Sequence, residues 1–380
     1  MSKQDEKPDR MPEERRHTIH EPNAAEILPP RNLEQDILTR LGLAKEPVAR
    51  LSGWTTSQLL RQLSMTSDWR ERAWIVQCLP ERGEKAQVEK IIIAYLQDDH
   101  EAVRMAAVRA LGKLWQSGPM RLAPFLTALA DSHPSVRATT IQVLASLKRQ
   151  DLTGKVIEIL KKRLAEKEED EIVYIAIIQL LATLGKDAPV QLLLAVSQDH
   201  HADPLVRESA ILALGSLRKY ITPEQLSQAL YDDDRFVREA AIFVLGTRAP
   251  INTLLHDLQK DTDVARQAKA ARALGELNRP TRVIVDALYQ AATDRKKSSS
   301  VRVASLLALA QLGAAMNEHT LAALQQVNDD DIRSAAEILA DVLEQQGKPT
   351  RLVDDDEGKD TEGFHRRWVH EKNREREKEK

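Results

Sequence analysis

The chain has 380 residues, of which 42% are hydrophobic and 30% are charged, and its net charge is −3. This length exceeds what one hydrophobic core usually serves, so it indicates several domains or a repeat array. The single cysteine excludes an internal disulfide framework, and the sequence holds no apolar stretch of membrane-spanning length. We therefore expect a cytoplasmic protein, with neither a membrane nor nucleic acid as its partner.

The N-terminal region divides into a tail and a cap. Residues 1–31 contain five of the sixteen prolines and thirteen charged residues, and we expect this tail to be disordered. Residues 32–67 are expected to form an N-terminal helical cap, with an amphipathic stretch from Leu33 to Leu41 and a helix near residues 56–63.

A repeat of about 33 residues occupies residues 68–346. Its frame is a Val-Arg pair, a small residue three positions after the Arg, and a Leu four positions later, often followed by Gly. With the Val counted as offset 0, the copies begin at Glu71, Val103, Val136, Val173, Val206, Val237, Arg266, Val301 and Ile332. Nine copies at nearly constant spacing predict an array of helical hairpins.

Each copy predicts a second helix that follows a less regular first helix. Apolar or small residues fill offsets 0, 4, 7, 8 and 11, which is the spacing of a helix that buries one face. In most copies a helix-capping residue lies three positions before offset 0: Asp68, Asp170, Asp203, Asp234, Asp263, Ser298 and Asp329. Because Asp and Ser accept hydrogen bonds from the free amides of a first helical turn, they indicate where each second helix starts.

The C-terminal region, residues 347–380, is predicted to be a charged tail that is disordered or weakly helical. Residues 354–380 hold eighteen charged side chains, yet they also contain Phe364 and Trp368. Their spacing of four places both aromatic rings on one face of a helix. We interpret the tail as a solvated, fraying helix, with a short anchor for a partner or for the array itself as the alternative.

The repeat resembles HEAT repeats, in particular the short type found in bilin-lyase-related bacterial proteins. The resemblance is carried by the Asp before the second helix, by Val206-Arg207 and by Leu214-Gly215, together with their counterparts in the other copies. It implies an all-α, right-handed solenoid of about nine helical hairpins. It implies little about activity, because one repeat fold serves many functions.

A series of arginines occupies offset 1 of the repeat: Arg104, Arg137, Arg207, Arg238, Arg302 and Arg333. Acids recur five residues before offset 0, at Asp98, Asp131, Asp232 and Asp261. We expect a structural ladder of Arg–Asp pairs that joins successive copies, as in the proteins that this one resembles. A track for phosphate groups is the alternative, but it would leave an excess of positive charge nearby.

Signals for catalysis and metal binding are weak. His100-Glu101 resembles one His-Glu pair of HEAT-type iron hydroxylases, but the other two pairs, His20-Glu21 and His370-Glu371, fall in the tails. Cys78 falls at a core-facing offset, and the sequence holds no phosphate-binding loop or nucleophile elbow. We expect no catalytic residue, no metal site and no cofactor.

The remaining face of the second helix, at offsets 2, 6 and 10, should line the concave side of a HEAT-like array. Seven residues on this face are predicted to contact a protein or peptide partner: Ile175, Glu208, Leu212, Glu239, Phe243, Leu307 and Ile338. Exposed apolar side chains beside acids suit a peptide or an amphipathic helix. The alternative is that these apolar residues pack against a neighbouring helix or the protein's own tail. The sequence thus predicts a non-catalytic scaffold. The alternatives are a HEAT-like enzyme or enzyme subunit (a bilin lyase or a metal-dependent hydroxylase) and, third, a nucleic-acid clamp.

Overall fold

A computed structural model describes residues 53–82, 84–116, 121–147, 154–166 and 170–346. These residues form eighteen α-helices that are joined by short turns, which confirms the predicted all-α architecture. The expectations for residues 1–52 and 347–380 lie outside this part of the chain.

The helices follow one another in nine pairs within the described residues. Their bounds are α1 Thr56–Met65, α2 Trp69–Cys78, α3 Lys85–Ala94, α4 Glu101–Leu114, α5 Leu122–Leu129, α6 Pro134–Ser146, α7 Gly154–Glu166, α8 Glu171–Ala182, α9 Val190–Ser197, α10 Pro204–Ser216, α11 Pro223–Leu226, α12 Arg235–Leu245, α13 Ile251–Lys260, α14 Val264–Glu276, α15 Arg282–Thr293, α16 Ser299–Gln311, α17 Glu318–Gln325 and α18 Asp330–Gln346. Short 3₁₀ segments add Leu79–Glu81, Tyr95–Gln97, Gly185–Asp187, Ser227–Tyr231 and Gly246–Arg248.

The even-numbered helices are the predicted second helices, and they stack on one another in one layer. Each packs extensively against the next even helix, except at the step from α12 to α14, where contacts are few. At that step α14 packs instead against the 3₁₀ segment Ser227–Tyr231. Neighbouring odd helices contact each other much less than neighbouring even helices do.

Side-chain caps start the even helices where the sequence predicts. Asp203 Oδ1 accepts a hydrogen bond from the amide of Leu205 at 2.7 Å, and Asp234 Oδ1 accepts from the amides of Phe236 and Val237. In α4 and α6 a histidine takes this role. The Nδ1 atom of His100 accepts from the amide of Ala102 at 3.2 Å. These bonds satisfy amides that a helix cannot pair by itself.

The core runs through the middle of the array, between the two layers. The leucines at offset 8, such as Leu111 and Leu214, are buried, as are the alanines at offset 4. After the leucine, a glycine lets the next even helix approach closely. A Cβ on Gly112 would lie 2.5 Å from Val143 Cγ1. In the Leu-Gly element of the repeat, the leucine is therefore buried in the core and the glycine allows the close spacing between even helices.

Candidate protein-binding surface

A groove opens on the outer surface of the even layer near its C-terminal end. We call it the C-terminal groove; α14, α16 and α18 form it, and its volume is about 830 Å³. Its lining includes Ala268, Arg272, Val303, Leu307, Ser334 and Ile338. Each of these residues stands at offset 2 or 6 of its copy, so three successive repeats contribute equivalent positions to one surface.

Most of the groove surface is apolar, because Ala268, Val303, Leu307 and Ile338 occupy four of these six positions. Leu307 is 37% exposed and Ile338 is 47% exposed, although both are large apolar residues. Among the described helices, α18 has an even neighbour on one side only. Its outer face is therefore less covered than that of an even helix inside the array.

Charged groups are part of the lining of the groove: Arg272 and Glu276 lie in the last turns of α14, and Asp331 lies in the first turn of α18. Glu276 accepts hydrogen bonds from the guanidinium of Arg238, with an Nη2–Oε1 distance of 2.7 Å. Burial of Arg238 opposes its charge, but the bond to Glu276 and the negative charges of Glu276, Asp232 and Asp234 together outweigh burial and raise the pKa of Arg238. Glu276, at the end of α14, is thus held in a charge-assisted hydrogen bond with Arg238 of α12.

A second apolar patch lies towards the middle of the even layer. Leu205 and Phe236 are 37% and 53% exposed, at the position directly before offset 0 in α10 and α12. At about 100° per residue, this position falls between offsets 6 and 10 on the helix surface. Leu205 and Phe236 are not among the predicted contact residues, because the predicted face includes only positions that follow offset 0. Half-buried Leu212, Glu208 and Glu239 share the same helices.

Two predicted contact residues are not accessible. Ile175 is only 6% exposed and Phe243 only 4% exposed, so the expectation that their side chains face a partner is wrong. The helix α8 packs closely against even helices on both sides. Such neighbours cover the flanks of a helix, so the exposed arc is narrower than a single-helix projection indicates. Of the seven predicted residues, Leu307 and Ile338 are the exposed apolar ones.

Three arginines at offset 1 contact acids of the next helix pair. Arg104 donates to Asp131 at 2.8 and 2.9 Å, and Arg207 donates to Asp232 at 2.9 and 2.8 Å. An equivalent pair joins Arg72 to Asp98, in the degenerate first copy. Each bond ties an even helix to the turn before the next even helix. The guanidinium groups of these arginines therefore bind acids of the array itself.

The pattern changes in the second half. Arg238 of α12 bonds to Glu276 of α14 instead of Asp261, whereas Asp261 lies 3.2 Å from Arg266 of its own helix pair. Two others donate to carbonyls of their own pair: Arg302 to Ala292, and Arg333 to Val327.

Arg137 also bonds locally, because its Nη1 atom donates to the carbonyl oxygens of Asp131 and Ser132 at 2.8 and 3.1 Å. Arg104, Arg207, Arg238 and Arg333 also donate to a carbonyl of the turn before their own helix, so the predicted arginines share this local bond but differ in their acidic partners.

A buried polar cluster lies beside the step between α12 and α14. The hydroxyl of Tyr231 donates to Asp257 Oδ2 at 2.6 Å, and Arg266 Nε donates to the same oxygen at 2.9 Å. Burial and the bond to Asp257 raise the pKa of Tyr231. Burial opposes ionisation of Asp257, but the bonds from Tyr231 and Arg266 outweigh it and lower the pKa of Asp257. The cluster joins α13 to α14 and to the preceding 3₁₀ segment.

The described residues hold no group of three or more His, Cys, Asp or Glu side chains placed to bind a metal ion. His100 is occupied as a helix cap, while His20-Glu21 and His370-Glu371 lie outside those residues. Across the described helices, none combines the length and the apolar character needed to span a membrane.

The sequence matches the family described as HEAT repeats over residues 56–145 and 157–246. The chain carries HEAT repeats. The first HEAT match begins at α1, and the second ends at Gly246, directly after α12. The HEAT match does not distinguish the bilin-lyase-related subtype. A search of curated proteins finds no match.

Several solved structures are similar to this HEAT-repeat chain. One is a mutant of Kap121p, with 14% identity and a TM-score of 0.48, over 76% of this chain and 38% of that one. Kap121p bound to Ste12p gives 15% identity and a TM-score of 0.48, over 75% and 37% of the two chains. Human deoxyhypusine hydroxylase in complex with glycerol gives 20% identity and a TM-score of 0.31, over 69% and 97%. This chain thus spans less than two fifths of the Kap121p chains.

Proposed function

We propose that the protein is a non-catalytic scaffold that binds a protein or peptide on the concave face, formed by the outer surface of the even helices. The observation that carries the proposal is the C-terminal groove, where Leu307 and Ile338 are exposed together. Clustered exposed apolar side chains in a preformed concavity are typical of an interaction site.

The charges around the apolar groups favour a particular kind of partner. Asp331 stands at the groove, and Glu208 and Glu239 flank the patch of Leu205 and Phe236. An amphipathic segment whose apolar residues alternate with basic residues would match both features. The site offers mixed charge and not a basic surface, so it suits a peptide better than a nucleic acid.

Two finer assignments belong to this proposal. We place the scaffold in the cytoplasm, because its single cysteine, Cys78, is buried and unpaired. We also assign the repeats to the bilin-lyase-related subtype, because the period is about 33 residues and Val-Arg and Leu-Gly recur in the second helices.

Affinity capture from an extract of the native cell tests the proposal. The full chain and a Leu307→Asp/Ile338→Asp variant are immobilised, and captured proteins are identified by mass spectrometry. The control is Val283→Asp, because Val283 is also an exposed apolar residue (49%) but lies on the odd helix α15. We expect a protein that the wild type and the control capture and the groove variant loses. Equal capture by all three folded chains would refute the proposal.

A further inference from the structure

We propose that the C-terminal groove binds a segment of its own chain, residues 364–369, through Phe364 and Trp368. This intramolecular contact uses the same surface as the proposed function but does not require an external partner. Its basis is the fit between an open apolar groove and the chemistry of a segment that is tethered beside it.

The groove has room for an occupant, because no described residue fills it. Its volume is about 830 Å³, and its walls expose Leu307 and Ile338. Alanines at offsets 2, 3 and 7 line the floor: Ala268, Ala304, Ala308 and Ala335. A floor of small side chains with branched walls accepts large, flat apolar groups. Aromatic rings gain the most from such burial.

The chain between α18 and residues 364–369 is long enough for this segment to reach the groove. The helix α18 forms one wall of the groove and ends at Gln346, and residue 364 follows 18 positions later. An extended chain of that length spans up to about 60 Å. The thirteen residues of α16 extend over only about 20 Å. The tether is therefore long enough to return to the groove, and it raises the effective concentration of the segment.

The segment carries the last aromatic residues of the chain. After Tyr289, the sequence contains only two, Phe364 and Trp368, and Val369 follows directly. The spacing of four lets both rings project from one face if the segment forms a helical turn. This pattern of two apolar anchors is the one by which amphipathic helices enter grooves.

The charges of the two elements are complementary. Residues 364–380 contain seven Lys and Arg against four Glu, and Arg366 and Arg367 lie between the two aromatic residues. The helix α18 carries five acids and one Arg, and Asp331 lines the groove while Glu337 is exposed beside it. Opposite net charges favour docking of this segment in preference to the acidic residues 354–357.

Photo-crosslinking in the full chain tests the contact. Phe364 is replaced by p-benzoylphenylalanine, and after irradiation the crosslinked peptides of the monomer are identified by mass spectrometry. We expect crosslinks to residues 299–311 and 330–346, with a yield per chain that does not change on dilution. Crosslinks spread over the array, or a crosslinked dimer, would overturn the proposal.

Two substitutions make the test specific. Ile338→Arg should lower the crosslink yield about tenfold, because it places a cation where the aromatic rings dock. Leu205→Arg is the control, because Leu205 is similarly exposed on the same layer but lies outside the groove. Both residues are exposed, so both variants should keep the helical content, as checked by circular dichroism. An unchanged yield in Ile338→Arg would overturn the proposal.

The two proposals can fail separately. If capture of a partner depends on Leu307 and Ile338 but no crosslink to the groove forms, the intramolecular contact is refuted and the scaffold function stands. If the crosslink forms and Phe364→Ala/Trp368→Ala still captures no partner, the contact stands and the scaffold function is refuted. If both hold, the Phe364→Ala/Trp368→Ala chain should capture more partner than the wild type, because the segment no longer competes.

Discussion

Gly275 lies directly against the backbone of Ala308, so that a Cβ on Gly275 would stand 2.7 Å from the Cα of Ala308. This contact sets the distance between α14 and α16, the two even helices that carry most of the C-terminal groove. The glycine therefore matters for packing between helices and not for an unusual backbone angle.

Gly275→Ala should destabilise the protein by about 1–3 kcal/mol, because backbone atoms of α16 would have to move. This cost exceeds the gain in helix propensity of about 1 kcal/mol from replacing glycine. Chemical denaturation measures the difference. Gly154→Ala is the matched control, because nothing lies within 4 Å of its Cβ position. A stabilising effect of Gly275→Ala would mean that α14 and α16 are not in this close contact.

Leu214→Ala should cost about 2–5 kcal/mol of unfolding free energy, because Leu214 is fully buried between pairs. Asp234→Ala should cost only about 1 kcal/mol, because it removes the cap of α12 and leaves the core intact. Denaturant titrations of both variants provide the comparison. Similar, negligible costs would show that the repeat frame is misassigned.

Asp232→Asn should cost about 3–5 kcal/mol, because it leaves the buried guanidinium of Arg207 without a counter-charge. The amide side chain keeps the size of the carboxylate, so the loss reports charge and not volume. Glu239→Gln is the control, since its partner Arg235 is exposed and such a pair contributes about 0–1 kcal/mol. Thermal or denaturant unfolding at neutral pH compares the two, and equal costs would contradict the structural role of Arg207.

Asp131 should make stability depend on acid pH. Burial opposes its ionisation, but the bonds from Arg104 and from the amide of His133, together with the positive charge of Arg104, outweigh burial and lower the pKa of Asp131. A carboxyl whose pKa is lower in the folded state stabilises the protein above its unfolded pKa of about 3.9. That contribution is lost as the pH falls from there through the folded pKa.

Unfolding free energies measured between neutral pH and pH 2 check this dependence. Asp131→Asn should be less stable than the wild type at neutral pH, and the difference should shrink below about pH 4. The control is Glu337→Gln, because Glu337 is exposed on α18. A difference between Asp131→Asn and the wild type that stays constant with pH would contradict the assignment.

The repeat made the helices, their starts and their buried leucines predictable, because those features depend on residues within one copy. Asp203 and Leu214 illustrate this, since a cap and a buried offset follow from local spacing. Accessibility was harder to predict, because it depends on how closely the next helix approaches. A projection of one helix gives the direction of Phe243 but not the neighbours that bury it. The partner of Arg238 could not be predicted either, because Glu276 is 38 residues away across an irregular step.

Few contacts join α12 to α14 directly, so the step between them is held by polar side chains, such as the ion pair of Arg238 with Glu276. The other steps between even helices have extensive direct packing. This polar step lies between the patch of Leu205 and Phe236 and the groove of Leu307 and Ile338. The placement of the two apolar surfaces relative to each other therefore depends on a few charged side chains, and a ligand that spans both surfaces would bind an arrangement that those side chains maintain.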